Sequence, residues 1–173
     1  MSSLRELWDQ ATAADQRVGD FVAAQEAAAN EQPLVAVRRK MQDMLAAFRE
    51  SAQTGISDGG SSPSGLTGGD ALRMRDAAPH FLNGYAWRAA TLGMGIAEAN
   101  AKMRRIVACP TAGSCGILPA VLLTLAERLG SSDDDILRAL FTAAGVGDVI
   151  AKNAMIAGAV GGCQAECGTA IAM

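Results

Sequence analysis

Four cysteines carry the most reactive side chains: Cys109, Cys115, Cys163 and Cys167. Their spacings, C-x5-C and C-x3-C, match no common zinc pattern, and the single histidine, His80, adds little as a ligand. Disulfides are a poor reading for the reducing compartment expected here. Two readings of the thiols stay open. Each is a small buried hydrophobe, or thiolates at a glycine-rich bend suit an iron–sulfur cluster better than a hard cation. Cys163 and Cys167 stand four residues apart and can share one helix face.

Three glycine-containing loops offer a second kind of chemistry: Ser64-Gly-Leu-Thr-Gly-Gly69, Pro110-Thr-Ala-Gly-Ser-Cys-Gly116 and Gly158-Ala-Val-Gly-Gly162. Each precedes, or nearly precedes, a helix, and free amides at a helix N-terminus bind carboxylates. Neither GxGxxG after a strand nor GxxxxGK[ST] occurs, so a small carboxylate is indicated and a nucleotide is not. For Gly55 to Gly69, six glycines in fifteen residues also read as a flexible linker. The competing reading is a backbone nest converging on an anion.

Helices must position these groups. A capping box at Ser3-Leu-Arg-Glu6 opens a first helix to about Ala29. Pro33 suits the first turn of a second, carried by Val37, Met41, Met44, Leu45 and Phe48. A third follows Phe81, Leu82, Tyr85, Ala89, Leu92 and Ile96, and Lys102, Arg104 and Arg105 are read as cations complementing its C-terminal dipole. A fourth runs from about Ile117 to Gly130, and Ser132-Asp-Asp-Asp135 starts a fifth. Gly158 to Gly162 interrupts the chain, and Cys163 opens a last stretch. His80 is read as a surface or loop histidine. The composition divides the chain at 1–53 (helical), 54–70 (Gly/Ser-rich loop) and 71–173 (helical).

Among 173 residues, 35 are Ala and 19 Gly, and only 4% are aromatic. Small side chains let helix axes approach closely and disfavour a β-sandwich. The expected fold is all-α, a compact bundle of closely packed Ala/Gly-rich helices with glycine-rich loops. A net charge of −3 provides no global attraction for nucleic acid or an anionic membrane. The uncharged stretch Ile106 to Ala126 contains Cys109-Pro-Thr-Ala-Gly-Ser-Cys-Gly116 and a second proline, Pro119, so it reads as a buried loop and helix rather than a membrane span. With no signal peptide in MSSLRELWDQ, the expected location is cytoplasmic.

Six segments, in order, are similar to the alpha chain of the iron–sulfur-dependent L-serine dehydratases: Ser64 to Asp70, Ala97-Glu-Ala-Asn100, Ile106 to Pro119, Leu140 to Gly145, Val149 to Ala154 and Gly161-Gly-Cys-Gln-Ala-Glu-Cys-Gly168. The resemblance covers about residues 64 to 173. It implies an all-α fold and conversion of L-serine to pyruvate and ammonia. It also implies a [4Fe-4S] cluster held by three cysteines, whose open iron polarises the serine hydroxyl. Cys163 matches the first cluster ligand. Cys109, Cys115 and Cys167 match none and are kept as core or supporting residues. Ser64, Gly65, Thr67, Gly68, Thr111, Ala112, Gly113 and Asn153 match the substrate-binding segments. No residue is assigned as the base. The implied partners are L-serine and a beta chain or domain, with an oligomer expected and no nucleic acid or membrane.

Three departures accompany the resemblance. The family's other two ligand cysteines lie downstream of the Gly-Cys-Gln motif, and Thr169-Ala-Ile-Ala-Met173 ends as helix interior, so the chain reads as an alpha chain truncated at its C-terminus and inactive alone. Met155, Ala157 and Val160 stand where the family has two serines and a glutamate. The family's histidine-bearing serine motif is absent. Two alternatives follow: a degenerate, non-catalytic helical subunit binding a partner or small amino acid, or a related lyase acting on cysteine.

Overall fold

A computed structural model describes residues 1–173. Eight α-helices and one 3-10 turn form, with no strand, so the protein is all-α as expected. The helices are α1 (Leu4–Ala13), α2 (Val18–Ala29), α3 (Leu34–Gly55), α4 (Asp70–Asp76), α5 (Gly84–Ala101), α6 (Ile117–Leu129), α7 (Asp133–Asn153) and α8 (Gly158–Ala172); the 3-10 turn is Ala112–Ser114. No helix is long and apolar enough to cross a membrane. Contacts divide the chain into two compact units, Met1–Leu45 with Ser132–Met173, and Ala46–Ser131, the division falling within α3.

In the first unit, the single helix expected to reach Ala29 is two. Ala14 ends α1, Asp15 turns with φ 53°, and extended Arg17 precedes α2. The break has a packing cause. Leu7, Ala11 and Phe21 form one buried cluster, yet Leu7 and Phe21 on one straight helix would be separated by about 21 Å along its axis. The chain must fold back to bury them together. A neighbouring cluster joins Ala23, Ala27, Val37 and Phe141. Small residues do bring helices close: a Cβ on Gly19 of α2 would lie 2.2 Å from the Arg138 carbonyl oxygen of α7. Beside that contact, Asp20 pairs with Arg138 at 3.1 Å. The α7 start is a full capping box: Ser132 Oγ accepts from the Asp135 amide, and Asp135 accepts from the Ser132 amide.

In the second unit, α5 is the central element. A Cβ on Gly55 of α3 would lie 2.0 Å from the Gly95 carbonyl oxygen, and one on Gly116 would lie 2.4 Å from that of Gly93. These contacts are backbone against backbone, which only glycine permits. Phe48, Ile96 and Leu92 fill the interior beside them. Asn83 caps α5 by accepting from the Ala86 amide at 2.9 Å. The cap leaves Phe81 and Leu82 before the helix and exposed, rather than on its apolar stripe. Helix α4 is not apparent from periodicity, because seven residues offer less than two full apolar repeats.

Candidate functional site

The last turns of α5 hold both glycine loops of the second unit. Glu98 and Asn100, two residues apart, project roughly 200° from one another around the helix, and each takes a different loop. Glu98 is 1% exposed. Its carboxylate accepts the backbone amides of Gly69 at 2.9 Å, Asp70 at 2.7 Å and Ala71 at 3.3 Å. Gly69, at φ 79°, turns the chain into α4 so that these amides converge. Of the two readings of this glycine-rich segment, a linker or a nest, the nest holds at its C-terminal end, and at these three amides the anion is the protein's own.

Lys102, one turn further, balances this buried charge. Its ammonium lies 3.5 Å from Glu98, its side chain 2% exposed, and it donates to the Asp58 carbonyl. Asp58 also accepts from the Gly60 amide at 2.9 Å and from Arg104 at 3.0 Å. The Gly60 amide, followed by Arg104, holds the Asp58 carboxyl below its ordinary range. Arg105 pairs with Glu50 at 3.1 Å. The three cations read as dipole complements are thus loop and helix ties: Asp58 and Glu50 arrive from distant sequence, while Glu98 stands one turn before Lys102.

Asn100 binds the second loop in both directions. Its Nδ2 donates to the Val107 carbonyl at 2.7 Å, and its Oδ1 accepts from the Val107 amide at 3.0 Å. Nδ2 also approaches Cys115 Sγ at 3.1 Å. Past a cis Cys109–Pro110 bond, Thr111 Oγ1 lies 3.1 Å from Ser114 Oγ, which donates to the Cys109 carbonyl at 3.3 Å. Burial pushes the Cys109 thiol up to about 11 and raises that of Cys115 as well. Both are protonated core thiols, poor as nucleophiles.

The remaining sequence-derived residues divide between the units. Ser64, Gly65, Thr67 and Gly68 and the Thr111, Ala112 and Gly113 loop lie in the second; Asn153 and Cys163 lie in the first. Ser64, Gly65, Ala112 and Gly113 are exposed, and Thr67, Gly68 and Thr111 half-buried. Ser64 Oγ lies 3.0 Å from Ser62 Oγ, and the Thr67 carbonyl accepts the Ser62 amide at 2.8 Å. Asn153 Nδ2 donates to the carbonyls of Ser2 and Val149, each at 2.8 Å. His80 is exposed in the loop before α5.

Cys163 opens the regular part of α8, directly after Gly162, whose φ of 75° and ψ of 176° break the helix. It is exposed, whereas Cys167 is half-buried and Cys109 and Cys115 are buried. The Cys163 and Cys167 sulfurs are 3.5 Å apart, and that contact, followed by burial, raises the Cys167 thiol. Glu166 turns back over Gly158, where a Cβ would meet its carboxylate at 2.4 Å. No group of three or more His, Cys, Asp or Glu side chains gathers so as to hold a metal ion.

Glu98, Asn100 and Lys102 were not recognised as organising residues from the sequence. A signal was present in Ala97-Glu-Ala-Asn100, but a lone Glu and Asn on an alanine-rich helix do not disclose which amides they meet.

Residues 13–173 match the family model described as serine dehydratase alpha chain. The chain is 37% identical over 164 residues to the probable L-serine dehydratase, alpha chain, of Bacillus subtilis (strain 168), covering 90% of this chain and 53% of that protein. It is 31% identical over 176 residues to the L-serine dehydratase, alpha chain, of Peptoniphilus asaccharolyticus, covering 100% and 60%. A 76-residue stretch is 53% identical to the probable L-serine dehydratase, alpha chain, of Latilactobacillus sakei, covering 44% and 36%. The chain thus spans little more than half the length of the first two relatives. No solved structure matches it.

Proposed function

Because this chain belongs to the serine dehydratase alpha chain family, we propose that it forms part of an iron–sulfur L-serine ammonia-lyase that converts L-serine to pyruvate and ammonia. One observation supports the iron–sulfur reading above others. Cys163, the position that the resemblance assigns to a ligand, is exposed beside a glycine turn while the other three thiols are not. An accessible thiol there fits one ligand position of a cluster. The chain gathers no complete ligand set, so in this reading the other thiolates come from polypeptide outside these 173 residues. When bound, a cluster with an open iron supplies a Lewis acid for the leaving hydroxyl.

The protein groups bind and orient. The hydroxyls of Ser64, Thr67 and Thr111, the amides of Gly68, Ala112 and Gly113, and separately the Asn153 Oδ1, are proposed for the serine carboxylate and amine, with Gly65, whose amide donates to the Ser62 carbonyl at 2.9 Å, shaping the loop. Glu98 already fills the amides of Gly69, Asp70 and Ala71, which leaves the more exposed part of that loop for substrate. A beta chain or domain completes the enzyme, as an oligomer in the cytoplasm.

The test is anaerobic reconstitution of the full reading frame with its beta partner, reading bound iron and pyruvate release. The expected outcome is iron and pyruvate with the parent, and loss of both with Cys163→Ala. Retained pyruvate formation by that variant, or a parent that takes up no iron, refutes the proposal. The second outcome favours a non-catalytic helical subunit, a reading supported by Met155 and Val160, apolar and exposed near Cys163. Supplying L-cysteine in the same assay distinguishes the related lyase.

A further inference from the structure

We propose that Cys163 and Cys167 form a reversible intrachain disulfide, making the start of α8 an oxidant-sensitive dithiol site. Cys167 has no part in the function proposed above. Its sulfur nevertheless lies 3.5 Å from that of Cys163, and both thiols are free. Residues four apart on a helix have Cα atoms about 6 Å apart, inside the separation of roughly 4.4–6.8 Å that a disulfide spans. Bonding needs the sulfurs to close to about 2.05 Å. Local backbone freedom is available, because the helix is already broken at Gly162 and glycine follows Cys167 at Gly168. The buried pair Cys109 and Cys115 lacks that exposure.

The oxidant is a small-molecule disulfide such as oxidised glutathione. The Cys163 thiolate attacks one of its sulfurs, forming a mixed disulfide and releasing one glutathione thiol. The Cys167 sulfur then attacks Cys163 Sγ, forming the internal bond and releasing the second glutathione. Two protein thiols lose two protons and two electrons, and the oxidant becomes two thiols. Such bonds in reducing compartments are typically transient and redox-sensing. Formation of the bond does not depend on the proposed lyase activity; its consequence, withdrawal of the Cys163 sulfur from metal, does.

The experiment treats the reduced, metal-free full chain with oxidised glutathione, counts thiols after denaturation, and weighs tryptic peptides. Cleavage after Lys152 places Cys163 and Cys167 in one peptide, while Cys109 and Cys115 share the peptide from Ile106 to Arg128. The expected result is loss of two of the four thiols, with the C-terminal peptide lighter by two hydrogens and restored by dithiothreitol. Cys167→Ser is expected to carry glutathione on Cys163 instead, showing that Cys163 is the attacking thiol and that its partner resolves the adduct. A parent that stops at the glutathione adduct, keeps both thiols, or links through Cys109 or Cys115 overturns the proposal. These readouts involve neither iron nor pyruvate, so a failure here is distinct from a failure of the lyase reading.

Discussion

Replacing Glu98 by Gln tests whether the glycine loop is held by an internal anion. The two side chains have nearly the same shape, so packing is conserved while charge and one acceptor are lost. Glu98 Oε1 receives the amides of Asp70 and Ala71, and Oε2 that of Gly69. Glutamine retains one carbonyl oxygen for the first two amides and turns an NH2 toward the third. A hydrogen bond to a charged group contributes about 1.5–3 kcal/mol, so this mismatch alone costs roughly 2 kcal/mol. Lys102, 2% exposed in its side chain, also loses its nearest carboxylate. Removing one member of a buried pair costs about 3–5 kcal/mol; the Asp58 contacts that Lys102 keeps place the expected total near the lower end, about 3 kcal/mol. Urea unfolding followed by circular dichroism reads this as a lowered midpoint at unchanged slope. Lys102→Met made in the Glu98→Gln background removes the stranded ammonium and is expected to be less destabilised than the summed single variants by about 1 kcal/mol or more. A Glu98→Gln loss below about 0.5 kcal/mol, the size of an ordinary surface change, or strict additivity of the pair, refutes the reasoning.

Two further predictions probe other links of the fold. Gly55→Ala is expected to destabilise by about 1–3 kcal/mol despite alanine's better helix propensity, because the new methyl lands on the Gly95 backbone; Gly84→Ala, where nothing lies within 4 Å, serves as the control, expected to gain about 0.4–1 kcal/mol, and equal midpoints for the two would contradict the close approach. At α7, the Ser132 hydroxyl, then its amide and then Arg138, hold the Asp135 carboxyl below its ordinary 3.8. The native state therefore releases this proton more readily than the unfolded chain, so the contribution is complete above about that value and fades as pH falls through the lower folded one. Asp135→Asn is expected to flatten acid unfolding in that window, and an unchanged acid profile opposes the assignment.

The helices were largely legible because their signals are local. Ser132-Asp-Asp-Asp135 marked a helix start, Gly130 a stop at φ 64°, and Pro119 a first turn. What escaped local reading was settled by distant partners. Nothing near Asp15 in the sequence requires a break, which follows from burying Phe21 against Leu7. Periodicity extends the α5 stripe back to Phe81, but Asn83 takes the cap. At the site, the glycine content around Gly69 left a linker and a nest both open, and the choice, like the identity of the anion, depended on Glu98, 29 residues away. Lys102, Arg104 and Arg105 likewise looked like cations answering a helix dipole until Asp58 and Glu50 stood beside them from distant sequence.

The tethered carboxylate of Glu98 has a consequence for selectivity. A ligand attached to its own receptor is present at an effective concentration that dissolved competitors do not match, so acetate, glutamate or free serine in solution leaves the Gly69–Ala71 amides untouched. The loop is thereby insensitive to the cell's abundant carboxylates at its root. In the substrate site proposed above, discrimination among small acids would fall to the solvent-facing hydroxyls and amides nearer Ser64, where a bound molecule competes with water rather than with the protein itself.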